Sequence, residues 1–293
     1  MKAHRAPVGN PMAKNISIRV LVENTAEEEG TLAEHGWAVW VCAGDHRVLL
    51  DAGQGVADVL LRNAIRQNVP LATADAIVLS HGHHDHTGAL AQALPLMSRP
   101  AIFAHPAALA PKYAKRRGTS AREAGIPAAA LRAIEEHAGQ IVETTSPTEI
   151  CPGVHVTGPV PRLTTFEKTN RRFFLDENLT RPDPLHDDQA LYVDSKAGTV
   201  VVLGCAHAGV VNTLIYIREL TSGRPLHAVL GGLHLGSASQ DCIVQTIDAL
   251  RDLGVQRFCV GHCTGIVAQT ALWAAFPGKC MPCHVGARLT VEQ

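Results

Sequence analysis

An apolar run, Ala76-Ile77-Val78-Leu79, leads directly into Ser80-His81-Gly82-His83-His84-Asp85-His86-Thr87-Gly88, and this junction constrains the chain more than any other stretch. The run is short and rich in β-branched residues, so it reads as a buried strand ending at Ser80, and the imidazoles leave a strand end. In extended backbone His81 and His83 point the same way, toward one metal ion. Asp85 and His86 follow a turn later and can face a second ion. Imidazole nitrogens and a carboxylate oxygen suit zinc, with one position left to water, and a mixed set of this kind also fits manganese or iron. The ordinary alternative is a solvated, histidine-rich turn.

The rest of the composition narrows the class. A chain of 293 residues, 46% of them hydrophobic, is long enough for one large α/β domain or two small ones. A formal net charge of -1 gives no electrostatic footprint for nucleic acid or an anionic membrane. No apolar stretch reaches the roughly 18 residues of a membrane span, and the first dozen residues lack the apolar core of a signal peptide. A cytoplasmic protein acting on a small, possibly anionic molecule is therefore expected, with a homo-oligomer left open. Residues 1 to 13 read as a polar, Pro-containing extension, with Met12 as an alternative start, and 14 to 293 as a single domain. The eight cysteines are scattered, which predicts reduced thiols. Cys280-Met281-Pro282-Cys283-His284 has haem-attachment or redox spacing, but no second C-x-x-C and no signal peptide accompany it. Ordinary thiols are the expectation.

Candidate strands cover residues 16–22, 38–42, 48–51, 76–79, 101–104, 155–157, 200–203, 228–231 and 258–260, and helical patterns cover 56–68, 128–137, 210–220, 242–253 and 264–276. Strands come first and strand–helix alternation last, which predicts a layered α/β architecture with functional residues on loops at strand ends. The stretch 106–147, rich in Ala and Pro with Lys112, Lys115, Arg116, Arg117 and Arg122, reads as a helical insertion. It is either a solvated face or a lid whose cations meet an anionic substrate.

Further ligands are offered where other apolar runs end. Val200-Val201-Val202-Leu203-Gly204-Cys205-Ala206-His207 brings His207 toward the first cluster, and Phe258-Cys259-Val260-Gly261-His262 does the same with His262. Val48-Leu49-Leu50-Asp51 ends in a carboxylate better suited to orienting a histidine than to binding metal. His234, after Leu230-Gly231-Gly232-Leu233, is a substrate contact, a proton donor or a surface histidine. Asp188, in an acidic turn, is an oxygen ligand, a substrate contact or ordinary turn chemistry.

With these residues assembled, the chain resembles the metallo-β-lactamase superfamily. Val22-Glu23-Asn24, Glu34-His35-Gly36, Leu50-Asp51-Ala52-Gly53-Gln54-Gly55, Gly158-Pro159-Val160-Pro161-Arg162, Asp187-Asp188-Gln189-Ala190-Leu191, Gly204-Cys205-Ala206-His207 and His262-Cys263-Thr264-Gly265 resemble one branch of it, named for an archaeal dihydropterin-ribofuranosyl-aminobenzene-phosphate synthase. The resemblance implies an α/β fold, a four-layer αββα sandwich with two mixed β-sheets and a dinuclear site at one sheet edge. It carries metal ligation to His81, His83, Asp85, His86 and His262, to which the strand-end reading adds His207, for two divalent ions, zinc by default. Where many members have Gly-Asp, with the aspartate bridging the ions, this chain has Gly204-Cys205. The bridge is then absent, supplied by Cys205, or replaced by His207 or Asp188. The activity implied is a hydrolase using metal-activated hydroxide on a small ester-, lactone- or phosphate-containing substrate. Asp85 would hold the water or its proton, and Arg162 and His234 would hold an anionic group. The branch name implies instead a transferase in pterin metabolism, and a non-catalytic metal-binding sensor is a third class.

Overall fold

The computed structural model describes residues 12–13, 15–115, 120–168 and 172–291. The expected extension at 1 to 13 lies almost wholly outside them, as do Arg116 and Arg117.

The first half contains β1 (Ile16–Val22), β2 (Ala38–Ala43), β3 (His46–Leu50), β4 (Ala76–Val78), β5 (Ala101–Ala104), β6 (Tyr113–Lys115), β7 (Ala121–Glu123) and β8 (Gln140–Glu143). Its helices are α1 (Val59–Arg66), α2 (His84–Thr87), α3 (Leu90–Ala93) and α4 (Ala128–His137). The second half contains β9 (Thr148–Cys151), β10 (Val154–Val156), β11 (Phe173–Phe174), β12 (Leu191–Ser195), β13 (Gly198–Val202), β14 (Leu226–Gly232), β15 (Arg257–Gly261) and β16 (Arg288–Val291). Here the helices are α5 (Val210–Leu220), α6 (Gln240–Asp252) and α7 (Ile266–Ala275).

One sheet runs β16-β1-β2-β3-β4-β5-β8 and the other β15-β14-β13-β12-β10-β9. Both are mixed: β3, β4, β5 and β8 run parallel while β1 and β2 are antiparallel neighbours, and β13, β14 and β15 run parallel beside antiparallel β12. Alternation along the strands builds the layers. In β3, Val48 and Leu50 enter the core between the sheets, while Leu49 faces the opposite way onto Leu60 of α1 and Leu90 of α3. In β13, Val200 and Val202 face that same central core, and Val201 packs with Leu214 of α5 and Leu250 of α6. The result is the expected four-layer sandwich.

Residues 106–147 are not the helical insertion expected from sequence. α4 buries Ala130, Ala133 and Ile134 in the outer core, and β8 pairs parallel with β5 as an edge of the large sheet. Only β6 and β7 depart from the sandwich, joining β11 in a small antiparallel sheet. Lys112 meets no solvent: its Nζ lies 2.9 Å from both Asp183 and Asp187.

His155, in β10, is buried with its ring stacked on Tyr192 at 5.0 Å. Burial lowers its pKa below 6.5, so the unfolded chain takes up this proton first as pH falls. The associated stability is full above about pH 6.5 and lost as pH drops through the lowered folded value. Urea midpoints of the wild type should therefore decline more steeply below that pH than those of His155→Phe; equal slopes would remove His155 from the acid response.

Candidate metal centre

The parallel strands β3, β4, β13, β14 and β15 deliver Asp51, Ser80, Cys205, His234 and His262 to one edge of the sandwich, each just past a strand's C-terminal end. Asp51, Ala206, His234 and His262 all have φ between 50° and 57°, the left-handed region that non-glycine residues avoid. Each costs roughly 1 kcal/mol or more, a cost that clusters at functional sites where side chains must converge. Gly204 serves the same convergence. A Cβ there would lie 2.0 Å from Ser80 Oγ and 3.2 Å from Asp51 Oδ2, so only glycine lets the two sheets meet at this point.

Two groups of donor atoms result. One atom each of His81, His83 and His207 lie within 4.8 Å of one another, and His81 Nε2 is 2.9 Å from His83 Nδ1. In the second group His86 Nε2 lies 3.2 Å from His262 Nε2, and Asp85 Oδ2 lies 3.6 Å from His262 Nε2 and 3.9 Å from His86 Nε2. Ligand atoms around a tetrahedral zinc ion stand about 3.4 Å apart, from bond lengths near 2.1 Å. Cys205 Sγ is 3.2 Å from His86 Nε2 and groups with His81 and His86, so the thiol lies between the two sets.

The supports behind these atoms fix their tautomers. Asp51 accepts from Ser80 N–H at 2.8 Å, from Ser80 Oγ at 2.6 Å and from His86 Nδ1 at 2.7 Å. The Ser80 proton being used on Asp51, His81 Nδ1 donates to Ser80 Oγ at 2.9 Å. His262 Nδ1 donates to Asn24 Oδ1 at 3.2 Å, while Glu23 accepts the His262 main-chain N–H at 2.6 Å. Each of these three imidazoles thus turns its Nε2 inward. Both ring nitrogens of His207 are buried without a hydrogen-bond partner, a loss of about 1–3 kcal/mol that a bound cation would offset. The donor set therefore fits divalent ions.

Electrostatics agree. Burial holds the imidazoles of His81 and His207 well below their ordinary range, that of His83 at about 3 and that of His262 at about 4, so their lone pairs are available at neutral pH. Burial would also lower His86, but Asp51 and Asp85 prevail and raise it to about 9. For Asp85 burial acts upward, and His86, His35 and His262 outweigh it, leaving the carboxylate ionised.

Asp51 lies behind His86, 2.7 Å from its Nδ1, and outside both donor groups. Asp188 lies outside both donor groups: it is buried, its Oδ2 accepts the Ala208 N–H at 2.8 Å, and burial raises its pKa to about 7. It shapes the His207 loop. Arg162 is not free to anchor an anion, since its guanidinium donates to the main-chain carbonyls of His207, Pro184 and Leu185. His234 packs on His207 at 4.2 Å between ring centroids and groups with Cys205 and Cys263. Cys280 and Cys283 are free thiols, as are the other six cysteines.

Residue-by-residue reading gave no role to several supports. Glu34 accepts the N–H groups of Gln54, Gly55 and Val56 and shapes the loop after Asp51. His35 Nε2 lies 3.3 Å from Asp85 Oδ2 at the solvent rim. Arg122 and Phe173 line a cavity of about 160 Å³ over His83, Asp85 and His262. Glu23, Asn24, Glu34 and His35 do lie in the family-like strings, the one signal that marked them. Replacing Asp51 by Asn should lower divalent-metal affinity about 10- to 100-fold with the fold retained, because two ligand histidines lose their common carboxylate. Competition titration with a chelating dye reads this, and unchanged affinity would leave Asp51 a packing residue.

A model of the metallo-beta-lactamase superfamily matches residues 32–262. The 7,8-dihydropterin-6-methyl-4-(beta-D-ribofuranosyl)-aminobenzene-5'-phosphate synthase of Methanocaldococcus jannaschii is 30% identical over 93% of this chain and 95% of its own length. Among solved structures, Tm1679, described as a metal-dependent hydrolase of the beta-lactamase superfamily, shares 32% identity and a TM-score of 0.80 over 95% of this chain and all of its own. Zn(2+)-bound PqqB from Methylobacterium extorquens shares the fold at 13% identity and a TM-score of 0.52, over 94% of this chain and all of its own. Among the described residues no helix is long and apolar enough to cross a membrane.

Proposed function

Because this chain belongs to the metallo-β-lactamase superfamily, we propose that it is a metal-dependent hydrolase with a two-ion centre acting on a small ester, lactone or phosphate compound. The carrying observation is the pair of buried donor sets. His81, His83 and His207 would hold one ion and Asp85, His86 and His262 the other, with the Cys205 thiol lying between the two sets. Zinc suits imidazole, carboxylate and thiol together. Divalent ions held there would supply Lewis acidity for a carbonyl or phosphoryl oxygen and would lower the pKa of water toward neutrality. Asp85 holds and orients the attacking water, and the exposed His35 beside it gives the proton a way to solvent.

Arg122 replaces Arg162 as the anchor for an anionic group. It sits on β7 and lines the cavity over the donor sets, and it makes no ion pair with another described residue. Arg122→Ala should raise KM for an anionic substrate about tenfold and leave kcat within a few-fold, as one solvent-facing charged contact implies. A fall in kcat with unchanged KM would count against this assignment.

The Methanocaldococcus relative favours a second reading, a synthase-like transferase that uses the same site on a dihydropterin and a ribofuranosyl-aminobenzene phosphate. Zinc- or manganese-loaded protein assayed on a phosphodiester, a lactone and the pterin pair separates the two. Turnover of the first or second, lost on chelation, supports the hydrolase. Product from the pterin pair alone supports the transferase, and metal binding without any turnover leaves a sensor.

A further inference from the structure

We infer that Cys205, Cys263 and His234 form a soft metal position of their own, two thiolates and one imidazole, beside the histidine–carboxylate centre. It takes a thiophilic divalent ion such as zinc. The inference rests on the two-ion reading only through Cys205, which it shares.

Three observations carry it. One donor atom from each of these three residues lies within 4.8 Å of the others, close enough for small side-chain adjustments to reach a common ion. The backbone is built to bring them there. His262 and His234 are both held in the left-handed region, and His262 faces His86 while the next residue, Cys263, faces Cys205 and His234. A Cβ on Gly232 would stand 2.5 Å from Cys263 Sγ, so a glycine makes the space the sulfur fills. The sulfur is also held in place: the His234 main-chain N–H donates to Cys263 Sγ at 3.3 Å, and the Cys263 thiol donates to the Cys205 carbonyl oxygen at 3.6 Å.

Donor chemistry sets this position apart from its neighbours. The histidine and carboxylate groups accept zinc, manganese or iron, whereas paired thiolates select zinc and other soft ions. Three protein donors leave a fourth direction, and His234, Cys205 and Cys263 all line the cavity that also touches His83 and Asp85. An ion here would face the same cavity that Arg122 lines. His234 then has a ligand's role in place of the substrate contact expected from sequence.

The test is metal content and spectrum on full-length protein kept reduced, stripped with chelator and reloaded with zinc or cobalt(II). Wild type should retain about three equivalents per chain, and Cys263→Ser and His234→Asn about two each. Cobalt-loaded wild type should show a near-ultraviolet sulfur-to-cobalt charge-transfer band that falls by about half in Cys263→Ser, which has lost one of two thiolates. His234→Asn keeps both sulfurs and serves if circular dichroism shows that the serine variant does not fold. Two equivalents in wild type would overturn the soft position while the two-ion centre stands, whether or not Cys205 alone gives a sulfur band. Wild-type content and band surviving in both variants would also overturn it. No retained metal at all would remove both readings.

Discussion

On the two-ion hydrolase reading, His86→Ala should lose at least one equivalent of divalent metal and slow turnover about a thousandfold. The imidazole is fully buried, and its two nitrogens reach Asp51 at 2.7 Å on one side and His262 and Cys205 at 3.2 Å on the other. Alanine therefore removes a donor from one ion and releases Asp51 from half of its task. Lewis-acid stabilisation is worth several kcal/mol, and about 4 kcal/mol corresponds to three decades in rate. Elemental analysis and steady-state kinetics on the same samples check both parts. Full metal content with wild-type turnover would move the centre elsewhere.

Lys112→Met destabilises the fold by about 3–5 kcal/mol, the usual cost of stripping one partner from a buried ion group. Lys112 is 1% exposed, and Asp183 and Asp187 are 4% and 0% exposed, so neither carboxylate can recover its solvation from water. Burial acts to lower the Lys112 pKa, but the two carboxylates prevail and raise it, keeping the ammonium charged. The group also reaches the metal loop. Asp187 Oδ2 accepts the Gly82 N–H at 2.8 Å, between His81 and His83, and a Cβ on Gly82 would lie 2.1 Å from the Ala108 carbonyl oxygen. Urea denaturation measures the loss. Combining Lys112→Met with Asp183→Asn and Asp187→Asn should recover part of it, because no charge is then left buried alone. A single variant within about 1 kcal/mol of wild type would show the triad to be solvated.

The strands that end at Asp51, Ser80 and Gly204 were legible because buried parallel strands are written as unbroken apolar runs. The five longer helices were legible by their period, while the four-residue α2 and α3 were too short to show one, and the ligands were legible by their place just after those runs. Less visible were β8, with exposed Gln140, Ile141 and Glu143, and β16, which pairs with β1 across almost the whole chain. Edge strands lack a two-sided apolar signal, and no local pattern records so distant a pairing.

By itself the sequence determined which residue types could meet a metal and that they follow strand ends, since ligand chemistry and hydrophobic period are both local properties. Only the tertiary structure decided that Arg162 would be spent on carbonyls while Arg122 faced the cavity. It alone placed a basic residue of an apparent surface cluster, Lys112, between two buried carboxylates, and set Cys205 beside Cys263 and His234. The physical reason is that charge pairing and sulfur proximity depend on distances across the two sheets, fixed once the central core has packed and Gly204 has let the sheet edges close.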